Sequence, residues 1–254
     1  MNYPEIDRYA SLRSPIHQFD PRAKIVTFTA LIFSFVFVNG LSLAMMGLAI
    51  ALLILVISRI PLSFALQRIK WVFLFLFPLL IIMPLTVEGK QLFDLYGIPV
   101  TYEGTVYASL VIIRAMAAVT LALTMLGTTR FDVTIKSLYM LKIPGSLIQM
   151  LMFTYRYIFV IIDEFGCMHR ALRSKGFEPM TNKHGLTIIG NIIGMLIIKS
   201  YDRSERVYQS MISKGYTGNP RTLMKFSMHA KDYLISMCLL SIAILFHTCH
   251  LVLP

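Results

Sequence analysis

Asp163–Phe177 reads DEFGCMHRALRSKGF, and Asp202–Tyr216 reads DRSERVYQSMISKGY. In each, an Asp is followed eleven residues later by Ser-Lys-Gly and then an aromatic, and the copies lie 39 residues apart, from Ser174 to Ser213. Gly176 and Gly215 fit the position just past a helix end, where glycine reaches a left-handed backbone without strain. Phe177 and Tyr216 follow where a Schellman motif places its apolar contact. Arg170, Arg173, Ser174 and Lys175 sit around the first end, Arg206, Ser213 and Lys214 around the second. Asp202 and Arg206 are spaced for an i, i+4 ion pair. Each stretch therefore reads as a helix ending in a cationic tip flanked by an aromatic. Such a tip suits an acidic or polar groove on a soluble partner. The plainer alternative is a basic helix end favoured by the helix dipole and the lipid surface. Two copies in matched context favour two equivalent docking sites.

Outside these stretches the chain is apolar. Of its 254 residues, 56% are hydrophobic and 15% charged, which with several long apolar runs gives a multispanning membrane protein. The net charge of +11 is read as basic cytoplasmic loops and not as nucleic-acid binding. Cys167, Cys238 and Cys249 show no CxxC spacing, so neither a disulfide framework nor a zinc site is expected. The polar first stretch does not resemble a cleavable signal peptide.

The expected fold is an all-α integral membrane protein with about five transmembrane helices and long cytoplasmic or interfacial coupling helices. Residues 1–24 form a cytoplasmic N-terminal arm with Arg8, Arg13, Arg22 and Lys24, in which Pro4, Pro15 and Pro21 oppose one long helix. Residues 25–126 hold four transmembrane helices. Ile25–Val38 and Leu41–Ile57 make a hairpin turned at Asn39-Gly40. Trp71–Val87 contains Pro78 and Pro84, and Thr105–Leu126 follows a loop carrying Glu88, Asp94 and Glu103 against Lys90, with Gly97 and Pro99 for turns. That loop is read as the outer face. Arg114, inside the fourth span, must face protein or water and not lipid. Its position with Ala118 and Ala122 on one helical face suits either a contact with another subunit or an internal ion pair or carbonyl contact. Residues 127–231 carry 15 of the 24 basic residues and are assigned to a cytoplasmic coupling region whose two helices end at 174–176 and 213–215. Thr129–Asp132 has capping-box spacing. The apolar stretches 147–162 and 186–198 are read as interfacial helices, or as a pair that crosses partway and returns. Residues 232–254 form the last span.

The sequence resembles the transmembrane T component of energy-coupling factor transporters, the CbiQ family, over nearly its whole length. Ile6-Asp-Arg-Tyr9, Ser14-Pro-Ile-His17 and Asp20-Pro-Arg-Ala-Lys24 resemble the N-terminal pattern of the cobalt and nickel branch. Thr128–Pro144 resembles the family's central segment, and Arg156–Glu164 and Ser200–Tyr208 resemble the lead-ins to its two coupling motifs. Those motifs are Ala-Arg-Gly in many members; here they stand as Ser174-Lys175-Gly176 and Ser213-Lys214-Gly215. Lys keeps the charge of Arg but loses its planar bidentate fork. Arg173 supplies a fork near the first motif, whereas Ile212 holds that place in the second.

The resemblance implies a non-catalytic subunit of the inner or plasma membrane. Two ATP-binding-cassette ATPases, alike or different, would hold ATP and Mg and grip the coupling helices. A separate substrate-binding membrane subunit would carry cobalt or nickel. Asp163 and Asp202, with Arg114, are candidate subunit contacts. This chain would bind no cofactor and no nucleic acid. The alternatives are a T component shared by vitamin importers and a stand-alone secondary transporter. The latter predicts intramembrane acids, and the spans offer only Arg114. No Walker A, HExxH or GxSxG motif is present. His247, Cys249 and His250 at the end of the last span look like metal ligands but are read as helix-end residues at the membrane interface, so no metal site is assigned.

Overall fold

The computed structural model describes residues 9–10, 12, 14–87, 90–95, 98–177, 182–216 and 228–252. Arg8, Arg13, Glu88 and Gly97 lie outside the described residues, as do the side chains of Asp94, Pro99, Cys249 and His250. The described elements are α1 (Pro15–Gln18), α2 (Pro21–Val36), α3 (Leu41–Ile57), α4 (Leu62–Thr86), β1 (Gln91–Leu95), β2 (Ile98–Thr101), α5 (Tyr102–Gly127), α6 (Phe131–Met140), α7 (Gly145–Ser174), α8 (Lys183–Ser213) and α9 (Ala230–Val252). They form two compact units, one of residues 1–137 and 224–254, the other of residues 138–223.

The first unit is organised around α5, which packs against α2, α3 and α4, while α2 also packs against α9. Its core joins Phe28, Leu31, Phe35 and Val38 to Ala51 and Ile54, Ala117 and Leu121, and Ala243 and Phe246. The Phe35 and Phe246 rings meet in a tilted pair with centroids 5.0 Å apart. A second cluster of Leu55, Ile60, Ala65 and Ile69 closes the α3–α4 side. Outward surfaces are apolar as well: Phe75 is 82% exposed and Met237 75%, which only a lipid solvent makes favourable.

Prolines start α1 and α2 at their first positions, where the missing N–H costs nothing. The Asn39-Gly40 turn is where the sequence places it, between α2 and α3. Arg114 donates from Nη2 to the Asn39 side-chain oxygen at 2.9 Å, an internal amide contact and not an ion pair. Arg114 stands twelve residues into α5, so α5 runs about 18 Å past the α2–α3 turn. An antiparallel hairpin, β1 against β2, joins α4 to α5 where the sequence suggested turns only. Among the described residues this is the one departure from an all-α fold.

The N-terminal arm and the last helix are fastened by buried polar groups. Lys24, counted from sequence among the basic residues of the N-terminal arm, is 1% exposed. Its Nζ donates to Thr129 Oγ1 at 2.7 Å and to Thr128 Oγ1 at 3.2 Å, at the C-terminal end of α5 where a cation is favoured. Asp20 caps α2 by accepting from the Arg22 N–H, and its own N–H donates to Asp232 at the start of α9. The structure thus uses the Thr129 hydroxyl to receive Lys24, a role that the capping-box reading did not include.

Among the described residues, five helices are long and apolar enough to cross a membrane: α4, α5, α7, α8 and α9. The sequence reading also had five spans, but with α2 and α3 in place of α7 and α8. At 16 and 17 residues, α2 and α3 reach about 24–26 Å, short of the roughly 30 Å hydrocarbon core. The stretches 147–162 and 186–198 are not separate elements. Each continues without a break into its charged half, because helical hydrogen bonds run on regardless of a change in side-chain polarity.

Two outcomes are expected. A Cβ on Gly104 would lie 2.6 Å from Pro84 Cα and 2.7 Å from Met83 O, so Gly104→Ala should separate α4 from α5 and cost about 1–3 kcal/mol in reversible detergent unfolding. His17 bridges Ser14 Oγ and the Tyr9 carbonyl at 2.8 and 3.0 Å. Burial lowers its pKa from the ordinary 6.5, with Lys24 adding to the effect and the Tyr9 hydrogen bond opposing it. The unfolded chain therefore binds the proton more readily, and the stabilisation present above pH 6.5 is lost as pH falls below it. Thermal unfolding at pH 7.5 and 5.0 should show this loss in the wild type and a smaller one in His17→Asn.

Candidate functional site

The second unit is built on α7 and α8, of 30 and 31 residues, each about 45 Å long. They run antiparallel. The Tyr216 hydroxyl at the end of α8 donates to the Gln149 side-chain oxygen at the start of α7. In the middle, Lys199 Nζ lies 2.5 Å from Glu164 Oε1, and Arg203 4.0 Å from Oε2 of the same carboxylate. At the other end, Leu172, Lys175 and Phe177 share a cleft of about 440 Å³ with Asn182, His184 and Ile188.

Both Ser-Lys-Gly stretches end their helices in the same way. Gly176 and Gly215 have φ of +80° and +77°. The Phe177 N–H donates to Leu172 O and the Gly176 N–H to Arg173 O, at 3.1 and 3.0 Å. The Tyr216 N–H donates to Met211 O and the Gly215 N–H to Ile212 O, at 3.0 and 2.9 Å. These are the paired 6→1 and 5→2 bonds of a Schellman motif. Ser174 and Ser213 each return a hydroxyl bond to the carbonyl four residues back. Nothing lies within 4 Å of a Cβ built on either glycine, so backbone conformation, not space, demands glycine at both places.

Arg170, Arg173, Ser174 and Lys175 are exposed around the first end, and Arg206, Ser213 and Lys214 around the second. Phe177 and Tyr216 are half-buried beneath them. The second end adjoins a cleft of about 490 Å³ lined by Arg203, Arg206, Lys214 and Tyr157. Because α7 and α8 are antiparallel, the two ends lie apart. The first sits beside residues 185–188 of α8 and the second closes that helix, about 40 Å farther along. The arrangement presents two like cationic tips on one antiparallel helix pair.

Not every residue singled out from the sequence joins these tips. Asp163 and Asp202 are exposed eleven residues before the motifs, and Arg114 belongs to the other unit. Asp202 and Arg206 form no ion pair; both side chains are in solvent, where an i, i+4 pair gains little against side-chain entropy. Glu164 is the acid that pairs across the helices, a role the sequence reading did not assign. Its signal was present as a carboxylate one position past Asp163, but only the helix pairing supplies the partner. Among the described residues, no three His, Cys, Asp or Glu side chains stand close enough to hold a metal ion.

The clefts and the cap geometry give a test of local design. Gly176→Val and Gly215→Val should each fray the last turn by about 1–2 kcal/mol and speed amide exchange at residues 170–177 or 209–216. Each should leave the other end protected.

The chain matches the cobalt transport protein family CbiQ over residues 13–225. It is 28% identical to an energy-coupling factor transporter transmembrane protein of Staphylococcus aureus, across 84% of each chain. The corresponding Bacillus subtilis protein is 27% identical across 84% of each. A putative fused cobalt transport protein of Methanocorpusculum labreanum is 29% identical across 54% of this chain and 24% of its own length.

Proposed function

Since the chain belongs to the CbiQ family, as the multi-pass transmembrane T component of an energy-coupling factor transporter, we propose that its two Ser-Lys-Gly ends each dock one of two ABC ATPases. The observation that carries this reading is the pair of like-capped cationic tips, each closed by the same glycine motif, at opposite ends of one antiparallel helix pair. Lys175 and Lys214 supply exposed positive charge, with Arg173 and Arg206 beside them. Phe177 and Tyr216 give each tip an apolar footing.

The physical sense of coupling follows. ATP and Mg stay on the ATPases, which close on each other as ATP binds. An end held on each ATPase obliges α7 and α8 to tilt, and continuous helices of this length carry a displacement without absorbing it. The tilt is passed to a separate substrate-binding membrane subunit that carries the transported ion, cobalt or nickel. The relative named as a putative fused cobalt transport protein supports that cargo; a T component shared by vitamin importers is the second reading. The chain itself performs no covalent chemistry in this scheme. A lysine in each motif makes a point contact where an arginine would make a planar fork. Residues 127–231 act as the coupling region, with α7 and α8 lying along the membrane face and not across it, so that both tips meet the ATPases on one side; residues 25–126 with 232–254 act as the membrane scaffold.

The test is affinity purification from the native membrane with partners identified by mass. ATPases and one further membrane protein should accompany the wild type. Lys175→Glu with Lys214→Glu should release the ATPases, because two charge reversals in an acidic groove cost several kcal/mol. Lys175→Arg with Lys214→Arg should retain them at least as well. A chain that comes out alone in mild detergent, and transports when reconstituted alone, contradicts the proposal.

A further inference from the structure

The first unit has a cleft of its own, of about 900 Å³, at the end where α2 begins, α3 stops and α9 starts. Ser14, Gln18 and Phe19 line one wall, Arg59 a second, and His229, Lys231, Asp232 and Ile235 the third. The charges here are arranged unevenly. Asp232 is buried, and its two oxygens accept from the N–H groups of Asp20 and His229 at 3.4 and 2.9 Å. Its charge is thereby engaged within the fold. Arg59 and Lys231 are exposed and form no ion pair among the described residues.

Arg59 is also held in an uncommon conformation. Its φ is +58°, a left-handed backbone that a long side chain rarely adopts. The turn is fixed by Ser58, which is fully buried and donates to the Leu55 carbonyl at 2.6 Å. A residue so constrained, where glycine would be the unstrained choice, points to a use for its side chain.

The surroundings define what binds. The walls come from the ends of apolar helices, since α3 stops and α9 starts at the cleft, and an apolar helix end is where a chain of this class meets the headgroup level. From Lys231, α9 continues with an outward apolar strip: Tyr233 is 63% exposed, Leu234 72% and Met237 75%. Tyrosine at such a boundary suits the headgroup level, and the strip beyond it suits an acyl chain. A free anion would use the cations but not the strip.

We propose that this cleft binds an anionic phospholipid, its phosphate held by Arg59 and Lys231 and one acyl chain lying along α9 over Leu234 and Met237. The site fastens the ends of α3 and α9 through one amphipathic molecule, and it is independent of ATPase docking.

The experiment is native mass spectrometry of the full-length protein, released from nanodiscs containing equal phosphatidylglycerol and phosphatidylcholine. The wild type should carry one tightly held phosphatidylglycerol. Arg59→Gly removes the cation while relaxing the left-handed turn, so misfolding does not explain a loss. It should lower retention roughly fivefold, and adding Lys231→Gln should lower it by a similar factor again. Arg68→Gln with Lys70→Gln, an equal change of charge outside the cleft, should leave retention unchanged. Equal loss in that control overturns the proposal, as does equal retention of phosphatidylcholine. Displacement of the lipid by soluble glycerol 3-phosphate at comparable concentration would assign the cleft to a free phosphate and overturn it too.

Discussion

Two helices packed antiparallel cannot bring their C-terminal ends together. That constraint sets the form of the second unit. The chain ends α7 and α8 with the same four-residue device and then, by pairing the helices head to tail, holds the two ends about 40 Å apart. The pairing rests on a few contacts: Glu164 with Lys199 and Arg203 in the middle, and Tyr216 with Gln149 at one end. The surface ion pairs are worth little in free energy. Their effect is on register, since a shift of α8 along α7 would leave Glu164 without its two cations.

The first unit solves a different problem. Its helices are apolar on most faces, so burial alone does not fix which end of which helix meets which. The polar groups at one end do so. Lys24 reaches the end of α5, and the Asp20 N–H reaches Asp232 on α9, so α2, α5 and α9 share one buried junction. Leaving any of these groups without its partner would strand a buried donor or acceptor at a cost of about 1–3 kcal/mol. A junction of this kind specifies one arrangement among many that lipid would tolerate.

Much of this was legible in the sequence. The glycine of each Ser-Lys-Gly stretch, following a cationic helical turn, carries enough local information to give both the helix end and its left-handed cap. The Asn39-Gly40 turn and the proline starts are equally local. Assignment of the long helices was harder. Residues 147–162 and 186–198 look like short elements because polarity changes at Asp163 and Lys199, yet backbone hydrogen bonding continues through both. Lys24 reads as one more basic residue of the arm, since only the threonines a hundred residues away reveal that it is buried. The Glu164 and Arg114 partners are likewise distant in sequence. The antiparallel pairing that separates the two tips is a tertiary fact, which no motif announces.

The most direct test of two-ended docking uses cysteines placed at Ser174 and Ser213, in a chain whose own cysteines are replaced. A bifunctional reagent is applied to the assembled complex, and the products are sized. The account predicts that one T chain becomes joined to two separate ATPase molecules, one through each position. Cross-linking of both positions to the same ATPase molecule would contradict it.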